Sequence, residues 1–241
     1  MRSMRKVIEF AVDEVTPVHE EVLEVQGMAG RQNIPARIVS LMESAVEIFK
    51  QLAVPKGLMA DLKPADFEAV YTGDGSNTPG NPVQLIYPKA DALALFAITL
   101  GAPLTEKVSG LFAQGGPALG YTLEAVTTAG AERLGHLMSQ RFLEHLREEH
   151  LERADLTVLH YSPGNCGWHL ASQEKIFQHL HPEEIGIGLN SSFHMRPQKS
   201  LSGVLIAGAM EIHRFKPDFP FCLQCKTHKC AQRLARLQSG N

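Results

Sequence analysis

Positive charge is what this chain lacks first. Its 241 residues carry 23 Lys and Arg against 26 Asp and Glu, for a formal charge of −3. Without a basic footprint, nucleic acid is not an expected partner. Long apolar runs are missing too, so no membrane-spanning segment is expected. The opening MRSMRKVIEF has no apolar core of the kind a secretion signal needs. Together these absences imply a cytoplasmic protein with no membrane partner. Low-complexity tracts and clear internal repeats are absent. Tryptophan occurs once, as Trp168, and cysteine only four times.

What is present is ordinary: 44% hydrophobic and 20% charged residues, enough to bury a full core. Residues 5–10 (RKVIEF) read as a strand. In 33–53 the apolar residues Ile38, Leu41, Met42, Ala45 and Ile48 recur at helical spacing. The proline- and glycine-broken stretch 54–82, with TGDGSNTPGNP, reads as a loop. VQLIYP then reads as a strand, KADALALFAITLG as a helix ending at Gly101, and LTEKVSGLFAQG as a second helix closed by Gly115. Over 119–150, Leu123, Val126, Leu134, Met138, Phe142 and Leu146 make one stripe of a long amphipathic helix. In the second half LTVLHY is β-rich, SPGNCG is a turn, and LASQEKIFQHL is a short helix stopped by Pro182. EIGIGLN and SLSGVLIAGAMEI read as strands. The interleaving implies an α+β fold on an antiparallel-dominated sheet.

Three of the four cysteines form one cluster and the fourth stands apart. Cys222, Cys225 and Cys230 stand as C-x2-C-x4-C in PFCLQCKTHKCAQR, and Cys166 lies in the glycine-flanked turn SPGNCGW. Four thiolates close a tetrahedral zinc site or hold an iron–sulfur cluster. Two disulfides or four separate thiols are the alternatives. Clustered cysteines in an intracellular chain favour metal. The expectation is that the tail folds back on the Cys166 turn and all four bind one centre. His213 and His228 are reserve ligands.

Two blocks, YSPGNCGWHLASQEKIFQHL and IGIGLNSSFHMRPQKSLSGVLIAG, resemble the activation (S-adenosylmethionine-binding) domain of cobalamin-dependent methionine synthase, and its stand-alone relatives more closely still. KADALALFAITLGAPLTEKV and the long helix after it are also similar, so the resemblance runs from about residue 5 to 215. It implies a twisted antiparallel sheet with packed helices over residues 1–215, plus a cysteine-rich tail, 216–241, lying on the 162–168 loop. It also implies a role in restoring the reduced, methylated state of a corrinoid carried by a partner protein, with S-adenosylmethionine as methyl donor and an electron-donor protein as a further partner. The family's ligand loop, Arg-x-x-x-Gly-Tyr, aligns with His160, Tyr161, Ser162, Pro163, Gly164 and Asn165. Pro163 and Gly164 match, His160 takes the arginine position and Asn165 the tyrosine position. Ser191, beside Asn190, takes the place of the family's acidic residue. The implied ligand set is His160, Ser162, Pro163, Gly164, Asn165 and Ser191.

The cysteine cluster is a departure from the methionine synthase domain. Cys166 directly follows the ligand loop, so a metal centre there would sit beside the pocket. A 4Fe-4S cluster could carry an electron to a corrinoid, which favours iron–sulfur over structural zinc. Two rival readings are a non-catalytic corrinoid-protein-binding module with a structural metal, and an iron–sulfur electron-transfer protein. Trp168 reads as a core anchor rather than a wall for an adenine or corrin ring. Lys199 reads as solvated, and Asp74 as a turn former. Ser200 and Ser202 have no base placed to activate them, which excludes hydrolysis.

Overall fold

The computed structural model describes residues 4–151, 153–216, 218–225 and Leu234. In chain order the elements are β1 (Arg5–Glu9), α1 (Val12–Val15), α2 (His19–Val25), α3 (Ala36–Leu52), β2 (Lys56–Leu62), α4 (Pro64–Thr72) and α5 (Pro82–Ile86). Then come β3 (Ala92–Thr99), α6 (Ala102–Ala113), α7 (Pro117–Glu148), β4 (Leu156–Tyr161), α8 (Ser172–Leu180), β5 (Gly188–Leu189), β6 (Met195–Arg196), β7 (Ser200–Ala209) and α9 (Pro220–Leu223). The strands form one five-stranded sheet in the order β1-β2-β3-β7-β4, and every neighbouring pair is antiparallel. β5 and β6 pair as a separate small hairpin.

Helices cover both faces of the sheet, and strand alternation divides the core between them. On β3, Ala92, Ala94, Phe96 and Ile98 face a core shared with α3, α6 and α7. Leu93, Leu95 and Ala97 face the other core, with Phe67 and Tyr71 of α4, Ile86 of α5 and Ile176 of α8. α7 carries the predicted stripe, and all six residues from Leu123 to Leu146 that compose it are buried. Among the described residues no helix is long and apolar enough to cross a membrane.

The α+β class and antiparallel sheet agree with the sequence reading, but four local expectations do not. KADALALFAITLG is not a helix: Ala92–Thr99 is the central strand, with all eight residues buried. A strand covered on both faces loses its alternation and reads as an unbroken apolar run. VQLIYP is not a strand: Asn81 caps α5 through its side chain, which accepts from the Gln84 amide at 3.2 Å. Pro82 then fits the first helical turn. Nor is 54–82 a plain loop, since β2 lies between Pro55 and Pro64 and α4 begins on Pro64. Its prolines mark element ends rather than irregular chain. Finally, EIGIGLN supplies only the two residues of β5, after a single 3-10 turn at Pro182–Ile185.

Candidate functional site

β4 sits at the sheet edge, and the chain leaves it through the turn Ser162–Trp168. That turn is closed by three main-chain bonds: Asn165 N–H donates to Ser162 O at 3.3 Å, Trp168 N–H to Asn165 O at 3.0 Å, and Gly164 N–H to Trp168 O at 2.7 Å. Gly164, Cys166 and Gly167 all have positive φ (85°, 47° and 81°). Two of the three are glycines, which adopt that region without steric cost. Cys166 adopts it as a side-chain-bearing residue.

The neighbouring strand explains the S-x-S-G pattern at 200–203. Gly203 of β7 lies directly against the Tyr161 carbonyl, leaving no space for a Cβ. Ser202, buried, donates to Gln173 Oε1 of α8. Ser200 Oγ donates to Thr99 Oγ1 at 3.0 Å. These contacts fix β4, β7 and α8 around the base of the turn.

From the other side the turn is held by residues 71–81. Asn77 Oδ1 accepts from the His169 amide at 2.8 Å, and Thr78 N–H donates to Gly167 O at 2.9 Å. Asn81 Nδ2 donates to Tyr71 Oη at 2.5 Å. Burial pushes the Tyr71 phenol above its ordinary pKa; the Asn81 bond opposes this, and Tyr87 adds to it. Trp168 is 1% exposed and packs on Phe67 and Tyr71 with centroids 5.9 and 6.1 Å away, so it is a core anchor. Asp74 accepts from the Ser76 amide at 3.0 Å, which lowers its pKa and makes it a turn former.

The β5–β6 hairpin faces the Ser162–Trp168 turn. Asn190 shapes its bend: Oδ1 accepts from both the Ser192 and His194 amides at 2.9 Å. Between turn and hairpin lies a cavity of about 410 Å³, lined by Ser162, Pro163 and Asn165 from the turn, Leu170 just before α8 and Gln173 within it, and Asn190 and Phe193 to Arg196 from the hairpin, with Gln198, Ser200 and Leu201 at the entry to β7. The Ser162 hydroxyl is buried there without a hydrogen-bond partner. A second concavity, of about 450 Å³, lies at the C-terminal end of α7, but its Arg153 is spent on Asp91 at 2.8 Å and Asp155 at 2.6 Å.

Of the expected ligand set, Ser162, Pro163 and Asn165 therefore line one cavity. Gly164 and Ser191 are not among the lining residues. His160 stands on the other side of the sheet edge: its ring meets Phe96 and the α7 residue His136, and its Nδ1 lies 3.3 Å from Ser139 Oγ. Strand parity accounts for this, because His160 alternates with Tyr161, whose ring faces the opposite core. Lys199 is not simply solvated; it pairs with Glu124 of α7 at 2.6 Å. Sequence reading did not assign Gln173, Arg196 or His194 to a ligand site. The register of β5 against β6, invisible in composition, brings the last two in.

Cys166, Cys222 and Cys225 are each half-buried, and Cys230 and His228 lie outside the described residues. Among the described residues no three His, Cys, Asp or Glu side chains are grouped closely enough to hold a metal ion. His213 is buried, stacked on Tyr161, with its Nδ1 2.8 Å from Tyr161 Oη.

The model of one family, described as vitamin B12 dependent methionine synthase, activation domain, matches residues 84–216. No curated protein matches the sequence. Among solved structures, the crystal structure of the MetH reactivation domain bound to AdoHcy is similar, with a TM-score of 0.59 and 13% sequence identity, over 98% of this chain and 88% of that one. At that identity the likeness is one of fold.

Proposed function

The chain belongs to the family of vitamin B12-dependent methionine synthase activation domains, and from that premise we propose that it reactivates a separate corrinoid protein by presenting S-adenosylmethionine to it. The observation that carries the reading is the cavity between the Ser162–Trp168 turn and the β5–β6 hairpin. Both walls come from the matched region, and a buried hydroxyl at Ser162 is left to be satisfied. A buried donor without a partner is costly, and a polar ligand relieves that cost. The related MetH domain was crystallised with AdoHcy, which supports a ligand of this class.

In this proposal Ser162, Pro163 and Asn165 contact the ligand, Gly164 shapes the turn, and Ser191 stands at the tip of the opposing hairpin. His160 braces β4 against α7. The reaction balances with one electron from a donor protein: cob(II)alamin gains it, and the methyl of S-adenosylmethionine passes to cobalt, leaving S-adenosylhomocysteine. The test is titration of the full chain with S-adenosylmethionine and S-adenosylhomocysteine by calorimetry, followed by methylcobalamin formation from a corrinoid protein under a low-potential reductant. Saturable binding with methyl transfer supports the reading. No heat at millimolar ligand overturns it.

The tail adds a second element to the proposal. The ring of Phe221 lies against Gly167, so the residues adjoining Cys222 and Cys166 are in contact. This supports a centre held by Cys166, Cys222, Cys225 and Cys230, with residues 216–241 acting as a clip on the turn. All-thiolate donors suit an iron–sulfur cluster or zinc, and a 4Fe-4S cluster would supply one-electron chemistry next to the cavity.

A further inference from the structure

Among the described residues lining the cavity there is no aspartate and no glutamate. Arg196 is the one permanent charge. Its guanidinium has no carboxylate partner among the described residues. The floor continues this polarity. Ser162 is 8% exposed with an unpartnered hydroxyl, and Gln173 is 3% exposed. Gln173 Oε1 is occupied by Ser202, which leaves the Nε2 hydrogens as that side chain's free donors. A guanidinium at the rim, an amide donor and a rotatable hydroxyl on the floor, and no acid anywhere between, form a site for an anion.

We propose that Arg196, Gln173 and Ser162 make a carboxylate subsite that takes the α-carboxylate of an amino-acid-bearing adenosyl ligand. This rests on the reading of the cavity as an adenosyl pocket and says which end of the ligand goes where. The planar guanidinium matches the two carboxylate oxygens, and such charge-assisted pairs are stronger than neutral hydrogen bonds. The Ser162 hydroxyl is already buried without a partner, so there the carboxylate fills an unmet bond rather than replacing a hydrated one. Phe193 and Leu170 on the remaining wall supply apolar surface for the rest of the ligand.

The discriminating pair of probes is S-adenosylhomocysteine and 5′-methylthioadenosine, which share the adenosyl thioether and differ in the amino-acid tail. Both are titrated calorimetrically into the wild-type chain and into Arg196→Gln, with circular dichroism to verify folding. Arg196 is exposed, so its replacement leaves both cores untouched. The expected result is a loss of about tenfold or more in affinity for S-adenosylhomocysteine, as removal of a charge-assisted bond implies, with methylthioadenosine changed by less than about twofold. Arg196→Lys, which keeps the charge but not the fork, is expected to fall between the two. Equal weakening of both probes, or no change in either, overturns the carboxylate subsite while the adenosyl reading stands. A wild-type chain that binds neither probe overturns both.

Discussion

The ring of Phe221 rests on the α-carbon of Gly167: a Cβ added there would lie 2.6 Å from Phe221 Cε1 and 3.0 Å from Thr78 Cβ. Three segments therefore meet at one glycine, the α9 turn, the Ser162–Trp168 turn and the 71–81 segment. Gly167 also needs φ +81°. Its replacement by alanine combines backbone strain with overpacking. Gly167→Ala is expected to cost about 2–4 kcal/mol in urea unfolding. An unchanged midpoint would mean that Phe221 and Thr78 yield freely and that the turn is not held between them.

Ser202 is fully buried, and its hydroxyl is engaged by Gln173. Ser202→Ala would strand the amide oxygen of Gln173 in a dry environment. The expected cost is about 1–3 kcal/mol, measured by the same unfolding experiment. Ser202→Ala combined with Gln173→Leu should be less destabilised than the sum of the two single variants, since both ends of one bond are then removed. Additive losses would show that the two side chains act separately.

How much of this was legible beforehand depended on whether a segment faces one environment or two. The α7 stripe from Leu123 to Leu146 was readable because one face packs and the other is wet. β3 was not, because Ala92–Thr99 is buried on both faces and shows no period. The blocks around Ser162 and Ser202 were legible by resemblance. The place of His160 was not, since only the pairing of β4 with β7 shows that its ring turns toward α7. Arg196 went unnoticed because a two-residue strand has no periodicity to detect.

Tyr71 predicts an alkaline limit to stability. Burial, as the largest cause, raises its phenol above the ordinary value of 10.0. The folded state therefore holds its proton longer than the unfolded chain does. The contribution is complete below pH 10 and is lost as pH rises through the higher folded value. The unfolding midpoint should fall as pH climbs past about 10, and Tyr71→Phe should flatten that fall, with Tyr87 accounting for part of what remains. Identical alkaline profiles for the two proteins would assign the loss to other groups.

The proposed thiolate centre predicts a composition. Protein purified without oxygen should contain iron and acid-labile sulfide with absorbance in the visible, and both should fall together in Cys166→Ala. Zinc in place of iron, unaffected by Cys166→Ala, would confine the metal to the tail and remove its redox role. A preparation without metal would eliminate the centre and leave Cys166, Cys222 and Cys225 as ordinary half-buried thiols.

The charge of the cavity makes one more demand. Arg196 is positive and the described lining residues offer no acid, so the sulfonium of S-adenosylmethionine gains a methyl contact but meets no counter-charge. S-Adenosylhomocysteine presents the same adenosine and the same amino-acid tail around a neutral sulfur. It should therefore bind at least as tightly as S-adenosylmethionine, and raising the salt concentration should narrow any gap, because the repulsion at an exposed site is screened. Arg196→Gln should narrow it as well. The consequence for turnover is product inhibition: a pocket that prefers the thioether releases it slowly, and repeated reactivation would depend on its removal. Competition calorimetry of the two ligands on one preparation decides the matter. A clear preference for S-adenosylmethionine would overturn this reading and mean that the sulfonium is stabilised by the cavity as it stands.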